Sequence, residues 1–194
     1  MNKNLVVCDI DEFIKSHKIT SIFLDIDGVI FASCDAIIQI LNERYGGSFK
    51  GSDVTSWDFQ CCYSNMTSQE IEDTFADPRF FEIVKPIKGA LEFIDRYKDK
   101  IVIVTKAVTD NFIHKRKWFD EHGYSDVPII AVPLGMSKSI INMNSIDGWS
   151  LFIDDSTNNL NDSNADYKVQ FREYNDDKER AWQKGWDGLV MYQW

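Results

Sequence analysis

No apolar run in the 194-residue chain approaches the ~20 residues that a helix needs to cross a bilayer. The start, MNKNLVVCDIDEF, has one lysine and a four-residue apolar run broken by acids, so it does not read as a secretory signal. Basic residues are few: Lys and Arg number 21 against 31 Asp and Glu, a net charge of −10. Proteins that coat nucleic acid or anionic membranes need a basic patch, and both classes are disfavoured. Cysteine is scarce, at Cys8, Cys34, Cys61 and Cys62, and the adjacent pair fits no zinc-knuckle spacing. The thiols read as reduced and structural rather than as a disulfide framework. His17, His114 and His122 fall in no ligand pattern. Internal repeats and low-complexity tracts are absent as well. What is present is a 44% apolar, 13% aromatic composition, enough to fill the core of one domain or of one core with a modest insertion. The expectation is a soluble, acidic, cytoplasmic protein.

Apolar runs of strand length recur between segments of helical period. Ser21–Leu24 leads into Asp25, Ile101–Val104 into Thr105, and Trp149–Ile153 into Asp154, while Ile129–Val132 follows Pro128. Short runs apolar on both faces suit a buried parallel sheet. Ala90, Phe93, Ile94 and Tyr97 keep helical spacing, as Phe112, Ile113 and Phe119 do more loosely after a Thr109 N-cap. Alternating strand and helix predicts an α/β fold, a Rossmann-like parallel sheet flanked by helices. Its ligand belongs beyond the carboxyl ends of the strands, where Asp25, Thr105 and Asp154 all fall.

The segment from Phe31 to Val84 breaks the alternation. Ile37, Ile40, Leu41 and Tyr45 form one stripe, Gly46-Gly47 ends it, and Thr67-Ser68-Gln69-Glu70 reads as a capping box opening a further helix. Such length exceeds an ordinary βα loop. The expected organisation is an α/β core from 1–30 and 85–194 with a small helical cap, 31–84, inserted after the first core strand.

The strongest local signal is Phe23-Leu24-Asp25-Ile26-Asp27-Gly28-Val29. Two carboxylates ending a buried strand are costly without a compensating cation, and a hard ion such as Mg²⁺ suits them. Gly28 lets the chain turn sharply beside a ligand. Upstream, Asp9-Ile10-Asp11-Glu12 imitates the pattern but lacks the glycine, and Asp11 through Lys18 looks like a charged helix start. A second acidic pair, Asp154-Asp155, ends another apolar strand. Two such pairs on neighbouring strand ends repel unless a cation lies between them. Thr105 adds a hydroxyl at that edge and Lys138 a positive charge.

Together and in this order, the four elements resemble the motifs of the haloacid dehalogenase-like (HAD) superfamily over about Ile22 to Phe171. A closer resemblance is to the 5′(3′)-deoxyribonucleotidases. It rests on Asp25-Ile-Asp-Gly-Val-Ile30, on Phe80-Phe81 leading to Lys85-Pro86-Ile87-Lys88-Gly89, on His114–Phe119, and on Phe152–Asp155 followed by Phe171 and Tyr174-Asn175. The resemblance implies a Mg²⁺-dependent phosphatase of nucleoside monophosphates that works through an aspartyl-phosphate. Asp25 would be the nucleophile and Asp27 the acid and base. Thr105 and Lys138 would hold the phosphate. Mg²⁺ would lie between Asp25, the Asp27 carbonyl and Asp155, with Asp154 in support. Trp57, Phe59, Phe80 and Phe81 are the candidates for a base pocket, since an aromatic face stacks on any nucleobase. Two residues depart from that family's pattern: Ser33 replaces an aromatic and Lys106 a small residue. The alternatives are a phosphatase for another small ester such as a sugar phosphate, or a catalytically silent HAD-fold binding protein. The expected partner is a small nucleotide, with no polymer and no membrane, and a homodimer is compatible with the sequence. The Trp-rich tail (Trp182, Trp186, Trp194) is expected to pack rather than to act.

Overall fold

The computed structural model describes residues 5–194. The opening residues of the stretch read as lacking a secretory signal therefore lie outside it. Among the described residues no helix is long and apolar enough to cross a membrane.

A seven-stranded sheet forms the centre, with every neighbouring pair parallel. Its strands are β1 (Val6–Val7), β2 (Ile19–Leu24), β3 (Ile101–Lys106), β4 (Ile129–Val132), β5 (Trp149–Asp154), β6 (Tyr167–Phe171) and β7 (Leu189–Met191). Their order across the sheet is β1-β7-β6-β5-β2-β3-β4. The four apolar runs of the sequence are β2, β3, β4 and β5. In β2, Ile22 and Leu24 face one buried cluster and Phe23 the other, which is why the run shows no polar alternation.

Helices cover both faces. α1 (Ile10–Ser16) is the charged helix start of the sequence, and Asp9 caps it by accepting the Glu12 N–H at 3.1 Å. Between β2 and β3 come α2 (Ser33–Tyr45), α3 (Ser68–Ala76), α4 (Pro78–Ile83) and α5 (Ala90–Tyr97). The α2 stripe is buried through Ile37, Ile40 and Leu41, whereas Tyr45 stands in solvent at its end. Gly46, at φ +72°, ends that helix. Both halves of the Thr67–Glu70 capping box form. α6 (Thr109–Glu121) follows β3, and α7 (Thr157–Asp162) follows β5. Thr109 is not the cap of α6: extended Val108 precedes the helix, and its carbonyl accepts the Phe112 N–H.

Of the three late tryptophans, Trp186 is buried in the cluster under Phe152. Trp194 lies against Phe93 and Phe171 and donates to the Val29 carbonyl at 2.9 Å. Trp182 packs on Trp57, their ring centroids 4.9 Å apart.

Candidate active site

The strand order puts the ends of β2, β3 and β5 side by side. Asp25 leaves β2 still paired to β5, its N–H donating to the Ile153 carbonyl at 3.0 Å. The chain then turns so tightly that the Gly28 N–H reaches the Phe31 carbonyl at 2.9 Å. Gly28 has φ +73°, and a Cβ there would lie 2.6 Å from Asp155 Oδ2. Both facts require glycine.

Three carboxylates meet here: ligand atoms of Asp25, Asp154 and Asp155 lie within 4.8 Å of one another. Lys138 is their counter-charge. Its ammonium is fully buried, 2.8 Å from Asp25 Oδ1 and 2.7 Å from Asp154 Oδ2. Burial alone would lower the Lys138 pKa, but Asp154 and Asp25 outweigh it and raise it to about 12. Burial pushes the Asp25 carboxyl up; Lys138 opposes this, Asp154 and Asp27 reinforce it, and the result is about 6. Asp155 is driven well above the carboxylate range by burial and by Asp154 and Asp25. One lysine does not neutralise this cluster.

The carboxylates differ in what already holds them. Asp154 accepts from Lys138 at 2.7 Å, from the Ser156 N–H at 2.8 Å and from Asn159 at 3.1 Å. Asp25 Oδ1 is buried without a well-aligned hydrogen-bond donor, its contact with Lys138 being an ion pair only. Three buried carboxylates that share one lysine form an all-oxygen cluster that fits a hard divalent cation. Asp25 and Asp155 would hold it and Asp154 would orient the lysine.

The Asp27 side chain has its own set of donors. It accepts from Lys115 Nζ at 2.5 Å and from the Ser33 hydroxyl at 2.8 Å. Lys115 also donates to Thr105 Oγ1 at 2.9 Å. The Thr105 hydroxyl itself donates to the Lys106 carbonyl at 3.4 Å, and Thr105 is wholly buried and is not among the residues lining the cleft over Asp25. Lys115 was missed as a site residue in the sequence. The available signal was its place on α6, one turn after Asn111 and one before Phe119, on a face the structure buries.

A cleft of about 470 Å³ opens over these groups, within the ordinary range for small-molecule sites. Asp25, Asp27, Lys138 and Asp155 lie at its base, with Lys106 beside them and Trp57 on the wall. The other expected base-pocket residues are elsewhere. Phe59 and Phe80 are wholly buried in the main core, where they fill space between helices. Phe81 packs against His114 with ring centroids 5.3 Å apart. Phe75 and Ile71 of α3 line the cleft instead. Asn111 ties α6 to α3 by donating to the Phe75 carbonyl at 2.6 Å.

The parallel sheet and its flanking helices have the fold of the HAD hydrolases. The chain is similar over 89% of its length to a haloacid dehalogenase-like family hydrolase from Streptococcus pneumoniae (93% of that chain, 10% identity, TM-score 0.55). A HAD family hydrolase from Deinococcus radiodurans, with bound phosphate and sodium, matches over 90% of this chain and 92% of its own (14% identity, TM-score 0.52). The HAD-hydrolase YfnB from Bacillus subtilis, bound to magnesium, matches over 90% and 95% (14% identity, TM-score 0.52). Among curated proteins, none matches the chain. The family profile described as 5′ nucleotidase, deoxy (Pyrimidine), cytosolic type C protein matches residues 18–189. The chain belongs to this family, and is a HAD phosphatase of the nucleotidase kind.

Proposed function

We propose that the protein is a Mg²⁺-dependent phosphatase of nucleoside monophosphates, 5′(3′)-deoxyribonucleotides foremost, acting in the cytoplasm. The observation that carries this reading is one cleft with Asp25, Asp27, Asp155 and Lys138 at its base and the Trp57 indole on its wall. The core would be 1–30 and 85–194, and 31–84 the cap that meets the nucleoside.

In this reading an Asp25 oxygen forms the new bond to phosphorus as the bond to the nucleoside oxygen breaks. Asp27 gives that oxygen a proton, then takes one from the water that hydrolyses the aspartyl-phosphate. Lys115 and Ser33 hold the Asp27 carboxylate in place. Lys138 sits against Asp25 and offsets charge on the transferring group, and the Thr105 hydroxyl would turn from the Lys106 carbonyl to one of its oxygens. Mg²⁺, held by Asp25, the Asp27 carbonyl and Asp155, would supply Lewis-acid neutralisation of the phosphoryl charge. The family description and the magnesium bound to the Bacillus subtilis protein support the substrate class and the ion.

Phosphate release from deoxy- and ribonucleoside monophosphates and from sugar phosphates, with Mg²⁺ and with EDTA, tests the proposal. Metal-dependent release favouring deoxynucleotides is expected. Release from sugar phosphates alone keeps the Asp25 chemistry and overturns the nucleoside assignment.

A further inference from the structure

The aromatic wall of the cleft is not held by the cap alone. The loop from Lys50 to Trp57 lies before α3, and the chain following β6 runs alongside it. The Ala181 N–H donates to the Thr55 carbonyl at 2.8 Å, a backbone hydrogen bond between the two segments. Lys178 Nζ donates to the Ser52 carbonyl at 2.9 Å and to Asp53 at 2.7 Å. Arg180 is almost wholly buried between them. It donates to the Ser52 carbonyl at 3.2 Å, pairs with Asp176 at 2.9 Å and stacks over Tyr174 at 4.6 Å. The last contact is Trp182 against Trp57, at 4.9 Å.

We infer that the segment from Tyr174 to Trp182 is a strap that selects substrate by fixing Trp57 against the cleft, with Trp182 as its positioning residue. Trp182 does not line the cleft, whereas Trp57 does. The Trp182 indole N–H is buried without an acceptor. No hydrogen bond fixes the Trp182 ring, and its aromatic contact is with Trp57 on the cleft wall. Phe75 touches Trp57 from the opposite segment, at 5.8 Å. Trp57 is thus wedged between a cap helix and the strap. A side chain ordered beforehand in this way gives more affinity than one that must be immobilised by each substrate.

The inference rests on the nucleotidase reading, because it needs a substrate whose leaving group reaches Trp57. The test compares Trp57→Ala, Trp182→Ala and Trp182→Phe in the full chain. Substrates are a deoxynucleoside monophosphate and acetyl phosphate, which is too small to reach the wall. Base–aromatic stacking removed by alanine is worth about a tenfold change in KM. Both alanine variants are expected to raise KM for the nucleotide about tenfold, and Trp182→Ala to leave acetyl phosphate turnover unchanged. Trp182→Phe, which keeps a ring against Trp57, is expected to restore most of the loss. Circular dichroism supplies a readout independent of substrate: an exciton couplet between the two indoles, lost equally in both alanine variants. A Trp57→Ala effect without a matching Trp182→Ala effect overturns the strap alone. Equal losses on nucleotide and acetyl phosphate in Trp182→Ala also overturn it, since they report general destabilisation. Nucleotide turnover insensitive to Trp57→Ala overturns the nucleotidase reading of the wall, and the strap's role with it.

Discussion

Lys115→Met removes one ammonium that serves two groups. The substitution keeps most of the side-chain volume in a fully buried position and leaves Asp27 Oδ2 and Thr105 Oγ1 without their shared donor. Stranding one partner of a buried pair costs about 3–5 kcal/mol. The Asp27 side chain is 17% exposed and keeps Ser33, so the cost is nearer that of one charge-assisted hydrogen bond, about 2 kcal/mol. For a chain of this size that lowers Tm by roughly 4–8 °C. The kinetic effect is larger. A displaced acid–base group costs on the order of a hundredfold in kcat. The loss depends on the leaving group, because a nucleoside alkoxide must be protonated as it departs and p-nitrophenolate need not be. Steady-state assays on a deoxynucleoside monophosphate and on p-nitrophenyl phosphate measure this directly. We expect roughly a hundredfold fall for the nucleotide and a much smaller one for the aryl ester. Equal losses on both substrates, or an unchanged kcat on the nucleotide, refute the assignment of Lys115 as the group that orients Asp27.

Gly28→Ala places a methyl 2.6 Å from Asp155 Oδ2 in a left-handed backbone. It should cost about 1–2 kcal/mol in backbone strain alone and abolish any Mg²⁺-induced rise in Tm by thermal denaturation, while an unchanged shift would mean that Asp155 is not a ligand. In EDTA, Asp25 holds its proton up to about pH 6, and Asp155 holds its proton well above the usual range. The folded protein thus binds more protons than the unfolded chain, and these groups make stability fall as pH rises from about 4 through about 6. Mg²⁺ competes with those protons, so the gain in Tm on adding Mg²⁺ should grow between pH 5 and pH 7.5; a constant gain would contradict the coupled cluster. Thr67→Ala breaks both halves of the cap of α3 and should cost about 1 kcal/mol, read as a Tm fall of roughly 2–4 °C; no fall would mean that the end of α3 is held by packing alone.

The central strands were legible in the sequence because burial on both faces leaves uninterrupted apolar runs, as in Ile101–Val104. β6 was not recognised as a strand, since Lys168 and Gln170 interrupt it. Gln170 is buried only because its amide donates to the Thr157 hydroxyl at 2.9 Å and because neighbouring strands surround it. β1 and β7 are too short to show a period, and pairing with each other and with β6 places them. The acidic pairs and Thr105 stood out by their places at strand ends, whereas Lys138, on a short 3-10 turn after β4, was singled out only through the family resemblance. Lys115 was not singled out, because His114-Lys115-Arg116-Lys117 is a run of basic side chains in which the docking of α6 decides that Lys115 is the fully buried one. The aromatic wall was legible only at Trp57. Whether Phe59, Phe75, Phe80 or Phe81 meets the cleft depends on how α3 and α4 dock onto α6, a long-range contact such as Asn111 to Phe75.

The central claim is that Asp25 carries the phosphoryl group. The most direct measurement is a single-turnover reaction with phosphorus-labelled deoxynucleotide and Mg²⁺, quenched in acid, with Asp25→Asn and EDTA as controls. The account predicts protein-bound label, released by hydroxylamine, in the wild type and in neither control. Phosphate formed without any label on the protein, or label retained by Asp25→Asn, would contradict it.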